Sequence, residues 1–281
     1  MRRFDAAYLD RTRRGMWAED RTALADLDLG SRRRILDVGC GTGELTRVLA
    51  EEAVDGRRQD RATPELVGVD ADPSLLSVAR DRWVAGDLPA PASFLRGDAT
   101  RLPFGDGAFD LVVCQALLAN LPEPEAGVDE FVRVSSQLVA AIEPDNDAVA
   151  VSSTVDAEET LEPRVREAYI DGVGTDVAIG DRVKALFADA GLSDVRVRRY
   201  LHEKRVEPPY SELALESAAR KASGGGLADH ARELRRALGS EGYDDLRGRW
   251  RRMGRSVVEQ MRAGEYERVE VVPFYVTVGR L

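Results

Sequence analysis

Three glycines at alternate positions, Gly39, Gly41 and Gly43, stand directly behind the apolar run Ile35-Leu36-Asp37-Val38. Asp37 lies inside that run. Two further acids follow later apolar runs: Asp70 after Leu66-Val67-Gly68-Val69, and Asp98 after Ser93-Phe94-Leu95-Arg96-Gly97. Glycine lets a main chain turn sharply and approach a ligand closely, so this grouping reads as a nucleotide-type cofactor site. The spacing narrows it. A dinucleotide fingerprint needs G-x-G-x-x-G, and here the third glycine comes one residue early. A phosphate-cradling loop needs G-x-x-x-x-G-K-[ST], and no lysine follows Gly43. Even alternation suits a ligand without phosphates, such as a nucleoside joined to an amino acid.

These residues need elements to position them. Apolar runs predict strands over 34–38, 66–70, 93–96, 109–115 and 138–143. Helical spacing predicts helices over 44–53, 72–84 and 125–134, the second opened by Asp72-Pro73-Ser74 with proline near its first position. Strands alternating with helices imply a parallel sheet with right-handed crossovers. Beyond 143 the pattern loosens. Helices are expected over 158–169 and 181–190, and a strand over 195–201. Charge-rich helices follow over 210–222, 227–238 and 243–261, punctuated by Gly224-Gly225-Gly226 and by Gly239 to Gly242. A final strand is expected over 269–278. Residues 1–30 read as helical, with Phe4, Tyr8, Leu9, Trp17, Leu24, Leu27 and Leu29 apolar and a break at Gly15. Residues 57–64 read as a surface loop.

Bulk properties exclude several classes. At 281 residues the chain can bury a full core. Its net charge of −10 argues against nucleic acid as a general partner. No apolar run approaches a membrane span, and no apolar stretch marks a secretory signal, so a cytoplasmic location is the expectation. Two cysteines, Cys40 and Cys114, make neither a disulfide framework nor a metal cluster, and no metal is expected.

Four segments together resemble the class I S-adenosylmethionine-dependent methyltransferases. Ile35-Leu36-Asp37-Val38-Gly39-Cys40-Gly41-Thr42-Gly43-Glu44-Leu45-Thr46 resembles their first motif. The LVGVDADPSLL segment at 66–76 resembles the second, FLRGDATRLPF at 94–104 the third, and FDLVVCQALLANLPEP at 109–124 the strand-4 segment of the small-molecule branch that includes quinone-biosynthesis C-methyltransferases. The resemblance covers residues 34 to about 202, with the final strand fitting the family's seventh. It implies an α/β, Rossmann-like, seven-stranded, mostly parallel sheet of order 3-2-1-4-5-7-6, helices on both faces, and a helical insertion before the last strand. The division expected is a helical cover at 1–30, a cofactor-binding core at 31–203, an acceptor-side cap at 204–266 and the final strand at 267–281.

Carried onto this sequence, the resemblance implies S-adenosyl-L-methionine as cofactor. Asp37, Gly39, Cys40, Gly41 and Gly43 would shape the methionine end. Asp70, with Ala71 behind it, would take the ribose, whose vicinal hydroxyls are two donors that one carboxylate accepts together. Asp98 and Ala99 would flank the adenine, and Gln115 would face the sulfonium and the acceptor. The same residues also have plain structural readings as turn, cap or strand-end residues.

The sequence departs from the family in places. Val134-Ser135-Ser136-Gln137 replaces a Lys-Pro-Gly-Gly-like turn. Asn120 stands where many quinone-type relatives carry a histidine, so no catalytic base is assigned. No Asn/Asp-Pro-Pro-Tyr follows the fourth strand, which weighs against amino-nucleobase methylation; Glu207-Pro208-Pro209-Tyr210 reads as a linker. His202 and His230 are expected at the surface. Glu143 and Asn146, after the fifth strand, either touch the acceptor or end the strand. Tyr8, Arg11, Arg14 and Trp17 either cover the cofactor or pack on the sheet edge.

The function expected is methyl transfer to an unidentified small molecule. The alternatives are an RNA methyltransferase using the arginines around Trp250, and a non-catalytic S-adenosylmethionine-binding regulator. Oligomeric state and methylated atom are not encoded in any motif.

Overall fold

A computed structural model describes residues 5–13, 16–18, 20–56, 62–86 and 88–281. Phe4, Arg14, Gly15 and most of the expected 57–64 loop lie outside the described residues, as does the side chain of Arg11. Two compact units emerge. The first joins Met1–Pro144, Ile179–Tyr200 and Phe274–Leu281; the second joins Asp145–Ala178 and Leu201–Pro273.

The first unit opens with α1 (Ala6–Arg13) and two short 3-10 turns at Thr22–Leu27 and Leu29–Ser31. Then come β1 (Arg34–Val38), α2 (Glu44–Asp55), β2 (Glu65–Asp70), α3 (Pro73–Ala85), β3 (Ala92–Arg96) and β4 (Phe109–Gln115). A 3-10 turn at Leu118–Asn120, α4 (Pro124–Val134) and β5 (Ser135–Pro144) follow. In the second unit lie β6 (Ala150–Ser153) and α5 (Asp156–Gly172), and the chain returns to the first unit for α6 (Val183–Asp189). β7 (Ser193–Val206) passes into the second unit, which holds α7 (Glu212–Ser223), α8 (Gly225–Asp229) and α9 (Ala231–Ala263). β8 (Arg268–Arg280) starts in the second unit and ends in the first.

The strand order is β3-β2-β1-β4-β5-β8-β6, with β7 also paired to β8. Pairings through β3, β2, β1, β4 and β5 are parallel, and β8 runs antiparallel to β5, Leu138 facing Arg280 and Pro144 facing Phe274. With β7 and β8 as the sixth and seventh strands, this is the expected order. The eighth strand, β6, was not foreseen; it pairs with the first half of β8, Ala150 facing Val271.

Six of the seven residues of β4 are buried, as a strand covered on both faces requires. Alternation divides the faces. Leu36, Val38, Val69, Val112, Cys114 and Ala141 share a cluster with Phe131 of α4 and Phe187 of α6. Asp37, one residue out of step with Val38, faces the other way and meets Thr46 of α2. Phe131 is fully buried; truncating such a phenylalanine to alanine costs about 3–5 kcal/mol. One acid interrupts β4: Asp110 accepts the main-chain N–H groups of Arg33 at 2.8 Å and Arg34 at 3.1 Å, pinning the start of β1.

The second unit has its own core. Tyr243, Leu246, Trp250, Met253, Val257 and Met261 recur every three or four residues along α9 and pack with Leu161, Ala168 and Ala218. Gly239, at φ 71° and ψ 175°, kinks α9 where the sequence predicts a break. Beside this core Glu158, fully buried, bonds Lys221, Ser153 and Tyr266. Among the described residues no helix is long and apolar enough to cross a membrane.

Candidate functional site

The site begins where β1 stops. Gly39, Gly41 and Gly43 have φ of 73°, 53° and 81°, all in the left-handed region. An L-residue there costs about 1–2 kcal/mol, which explains glycine at every second position. Space is short too. A Cβ on Gly39 would lie 2.9 Å from a methyl of Leu117, and one on Gly41 would lie 2.9 Å from a methyl of Leu9 in α1. The Gly39 and Cys40 N–H groups donate to the Val69 carbonyl at 2.7 and 3.0 Å, tying the turn to β2. Gly43 then forms the cap of α2.

Asp70, at the end of β2, accepts the Gly41 N–H at 2.9 Å and the Asp72 N–H at 2.8 Å, one on each oxygen. Burial pushes its carboxyl above the usual value, and these N–H bonds pull it partly back. The glycine turn and Asp70 are therefore one hydrogen-bonded unit. Ala71 follows, half-buried. Asp37 is 1% exposed, with Thr46 donating to it at 2.6 Å. Burial first, and the charge of Asp70 second, push its carboxyl up to about 7.

Asp98 lies exposed just past β3 and accepts both the N–H and the hydroxyl of Thr100 at 2.9 Å. The Gly97 N–H donates to the Asp70 carbonyl at 3.0 Å, which holds this turn beside the end of β2. Ala99 is buried against Val69 and its neighbours. Asp37, the glycines, Asp70 and Asp98 thus share the carboxyl edge of adjacent strands, where ligands bind in open α/β sheets.

Gln115 also ends its strand at this edge, but its amide is engaged. Its oxygen accepts the Trp17 indole N–H at 3.3 Å, and its nitrogen lies 2.9 Å from the Met16 sulfur. Trp17 stacks on Tyr200 with centroids 4.8 Å apart, and the Tyr200 hydroxyl donates to the Met16 carbonyl. Arg82 of α3 grips Asp10 of α1 at 2.8 Å. The segment around Leu9, Met16 and Trp17 therefore packs on the glycine turn and the end of β4.

Several expectations change. Glu143 neither ends its strand in solvent nor faces an open site: it is fully buried and bonds the turn after β4. Asn146 donates to the Val177 carbonyl at 2.6 Å within the second unit. His202 is 5% exposed, because β7 runs on to Val206 and carries it inward; His230 is exposed, edge-on to Tyr169. Trp250 is buried in the core of the second unit, so the exposed Arg251, Arg252 and Arg255 present charge without an aromatic face. Cys40 and Cys114 are buried free thiols, pushed well up by burial and then by neighbouring carboxylates. Among the described residues no group of side chains could hold a metal ion.

Comparison with known proteins bears on the same stretch. Residues 36–137 match the family described as methyltransferase domain. The matched stretch runs from β1 into β5, so it contains the glycine turn, Asp70, Asp98 and Gln115. The four motif-like segments fall within or overlap this stretch, and the sheet order is the one that the resemblance to class I, S-adenosylmethionine-dependent methyltransferases implies. The demethylmenaquinone methyltransferase of Lactiplantibacillus plantarum is 33% identical over 111 residues, 40% of this chain and 44% of that protein. The protein of the same name from Beutenbergia cavernae is 39% identical over 114 residues, 40% and 41% of the two chains. The chain thus aligns with under half the length of these relatives. In fold it is similar to the YcgJ protein of Bacillus subtilis, with a TM-score of 0.53 at 16% identity, covering 92% of this chain and 97% of that one.

Proposed function

We propose that this protein is an S-adenosylmethionine-dependent methyltransferase acting on a small molecule. The observation that carries the reading is the left-handed glycine turn bonded through Gly41 to the Asp70 carboxylate. Three left-handed glycines in alternation let the main chain bend tightly under Leu9 and Leu117, a shape that suits a ligand needing no phosphate cradle. The Asp70 oxygens accept main-chain N–H groups from Gly41 and Asp72, and a carboxylate's two oxygens have lone-pair capacity left for ribose hydroxyls. The residues present therefore fit the cofactor.

In this reading Asp37, Gly39, Cys40, Gly41 and Gly43 bound the methionine end, and Asp70 with Ala71 holds the ribose. Asp98 and Ala99 border the adenine. When bound, the cofactor supplies an already activated methyl group on a sulfonium. The chain's own part is to align donor and acceptor and to exclude water. Leu9, Met16 and Trp17 serve the second task, since they cover the glycine turn and Gln115. No side chain is assigned as base, and none is needed for an acceptor that has already lost its proton. The names of the relatives make a quinone-like aromatic the first acceptor to try.

The test has two arms. Calorimetry with S-adenosylhomocysteine should show binding, and Asp70→Ala should weaken it about 100-fold, the worth of two charge-assisted hydrogen bonds. Unchanged affinity contradicts the ribose assignment. Labelled S-adenosylmethionine with fractionated extract should then place label in a low-mass product. Label in RNA alone, or binding without turnover on any fraction, would replace the small-molecule reading.

A further inference from the structure

Glu143 ends β5 fully buried, yet it faces no solvent and no cation. Its carboxylate accepts three main-chain bonds from one turn. Leu117 and Leu118 donate to Oε1 at 2.9 Å each, and Ala119 donates to Oε2 at 3.2 Å. The Cys114 sulfur lies 3.6 Å from Oε1. Burial raises this carboxyl and the three N–H groups work against the rise. A buried acid is costly unless its bonds serve a purpose. The turn it holds starts at Ala116, whose φ of 48° is one that a non-glycine residue keeps only when its surroundings enforce it. That turn delivers the Leu117 side chain onto Gly39, with two methyls 2.9 and 3.2 Å from where a Cβ on Gly39 would stand. Gln115 immediately precedes the turn.

We propose that Glu143 is a positioning residue for the cofactor site: it fixes the turn after β4, and through Leu117 that turn holds the Gly39 bend in its ligand-ready form. The proposal rests on the cofactor reading above. Glu143 acts through Leu117 rather than on reacting atoms. Its charge matters as well as its shape. Glutamine has a single acceptor oxygen and would turn an NH2 group toward an N–H donor, so at least one bond of the turn is lost.

The experiment is calorimetric binding of S-adenosylhomocysteine to the full chain and to Glu143→Gln, Leu117→Ala and the double variant, each well below its own unfolding temperature. Each single substitution should weaken binding about tenfold. The double variant should weaken it by much less than the product, because both act through one turn. Wild-type affinity in a Glu143→Gln protein that merely melts earlier overturns the proposal, and so do multiplicative effects. Should Glu143→Gln not fold, hydrogen exchange on the unmodified protein decides: S-adenosylhomocysteine should slow exchange at residues 116–119 together with 39–43. Protection confined to 39–43 overturns the proposal. A wild-type chain that fails to bind at all refutes the cofactor reading itself, and that result is distinct from the others.

Discussion

Replacing Asp37 with asparagine should stabilise this protein at neutral pH while harming its site. The Asp37 carboxyl is 1% exposed, has Thr46 as its side-chain donor, and titrates at about 7 instead of 3.8. In the unfolded chain it loses its proton near the ordinary value; in the folded chain it keeps it until about pH 7. Between those values the unfolded state binds fewer protons, so stability falls as pH rises and the loss is complete above about pH 7. A shift of that size corresponds to roughly 4 kcal/mol, an upper figure because the structure relaxes around a buried charge. Asparagine keeps the acceptor for Thr46 and carries no charge. Asp37→Asn should therefore match the wild type near pH 4 and exceed it at pH 8, by on the order of 10 °C in melting temperature. Circular dichroism melts of the ligand-free proteins from pH 4 to 8 would show it. A gap between the two that does not widen with pH refutes the argument, as does a less stable Asp37→Asn at pH 8. The same variant should bind S-adenosylhomocysteine more weakly, a trade of function for stability.

Other outcomes follow from the same geometry. Gly39→Ala puts an L-residue at φ 73° and a Cβ 2.9 Å from a Leu117 methyl, so urea unfolding should show a loss of about 2–4 kcal/mol; a loss below about 0.5 kcal/mol would mean the bend relaxes freely. Glu158→Gln removes the most deeply buried anion beside Lys221 and Arg268, which keep Glu162 and, for Arg268, Glu270; it should cost about 1–3 kcal/mol at pH 7, read from the urea midpoint. Burial raises the Glu158 carboxyl, but Lys221, Ser153 and Arg268 outweigh burial and hold it below the usual value. Its contribution is therefore present above about pH 4.5 and lost as pH falls through its lower folded value, so the difference between variant and wild type should shrink in acid. Cys40 and Cys114 should not react with a thiol reagent in the native protein and should both react in denaturant; rapid native labelling would contradict their burial.

The half of the fold around the glycine turn was legible because its constraints are local. Only glycine suits three left-handed positions in alternation, and near-continuous apolar runs such as β4 admit few readings besides a strand covered on both faces. What escaped depends on distant partners. β6 is four residues of Ala-Val-Ser-Ser, too short and too exposed to stand out, and it is a strand because β8 runs beside it. His202 was expected at the surface with the rest of the C-terminal part; it lies within β7, which runs to Val206, and is buried there. Helix α5 was expected over 158–169, but not its packing: Leu161 and Ala168 join the core of the second unit with α9. At the site, the acids could be read from the ends of their strands, whereas the engagement of Gln115 by Met16 and Trp17 spans some hundred residues and has no local signal.

The pairing of β8 with β5 has a consequence for how the chain is made. Residues 1–144 leave the ribosome carrying the glycine turn and five parallel strands, but the outer edge of β5 is satisfied only by residues 274–280. For the time it takes to synthesise the intervening stretch, that edge offers unpaired main-chain groups flanked by Val139, Ala140, Ala141 and Ile142. A nascent sheet in this state invites pairing with a neighbouring chain. Slower elongation between codons 145 and 273 should therefore lower soluble yield.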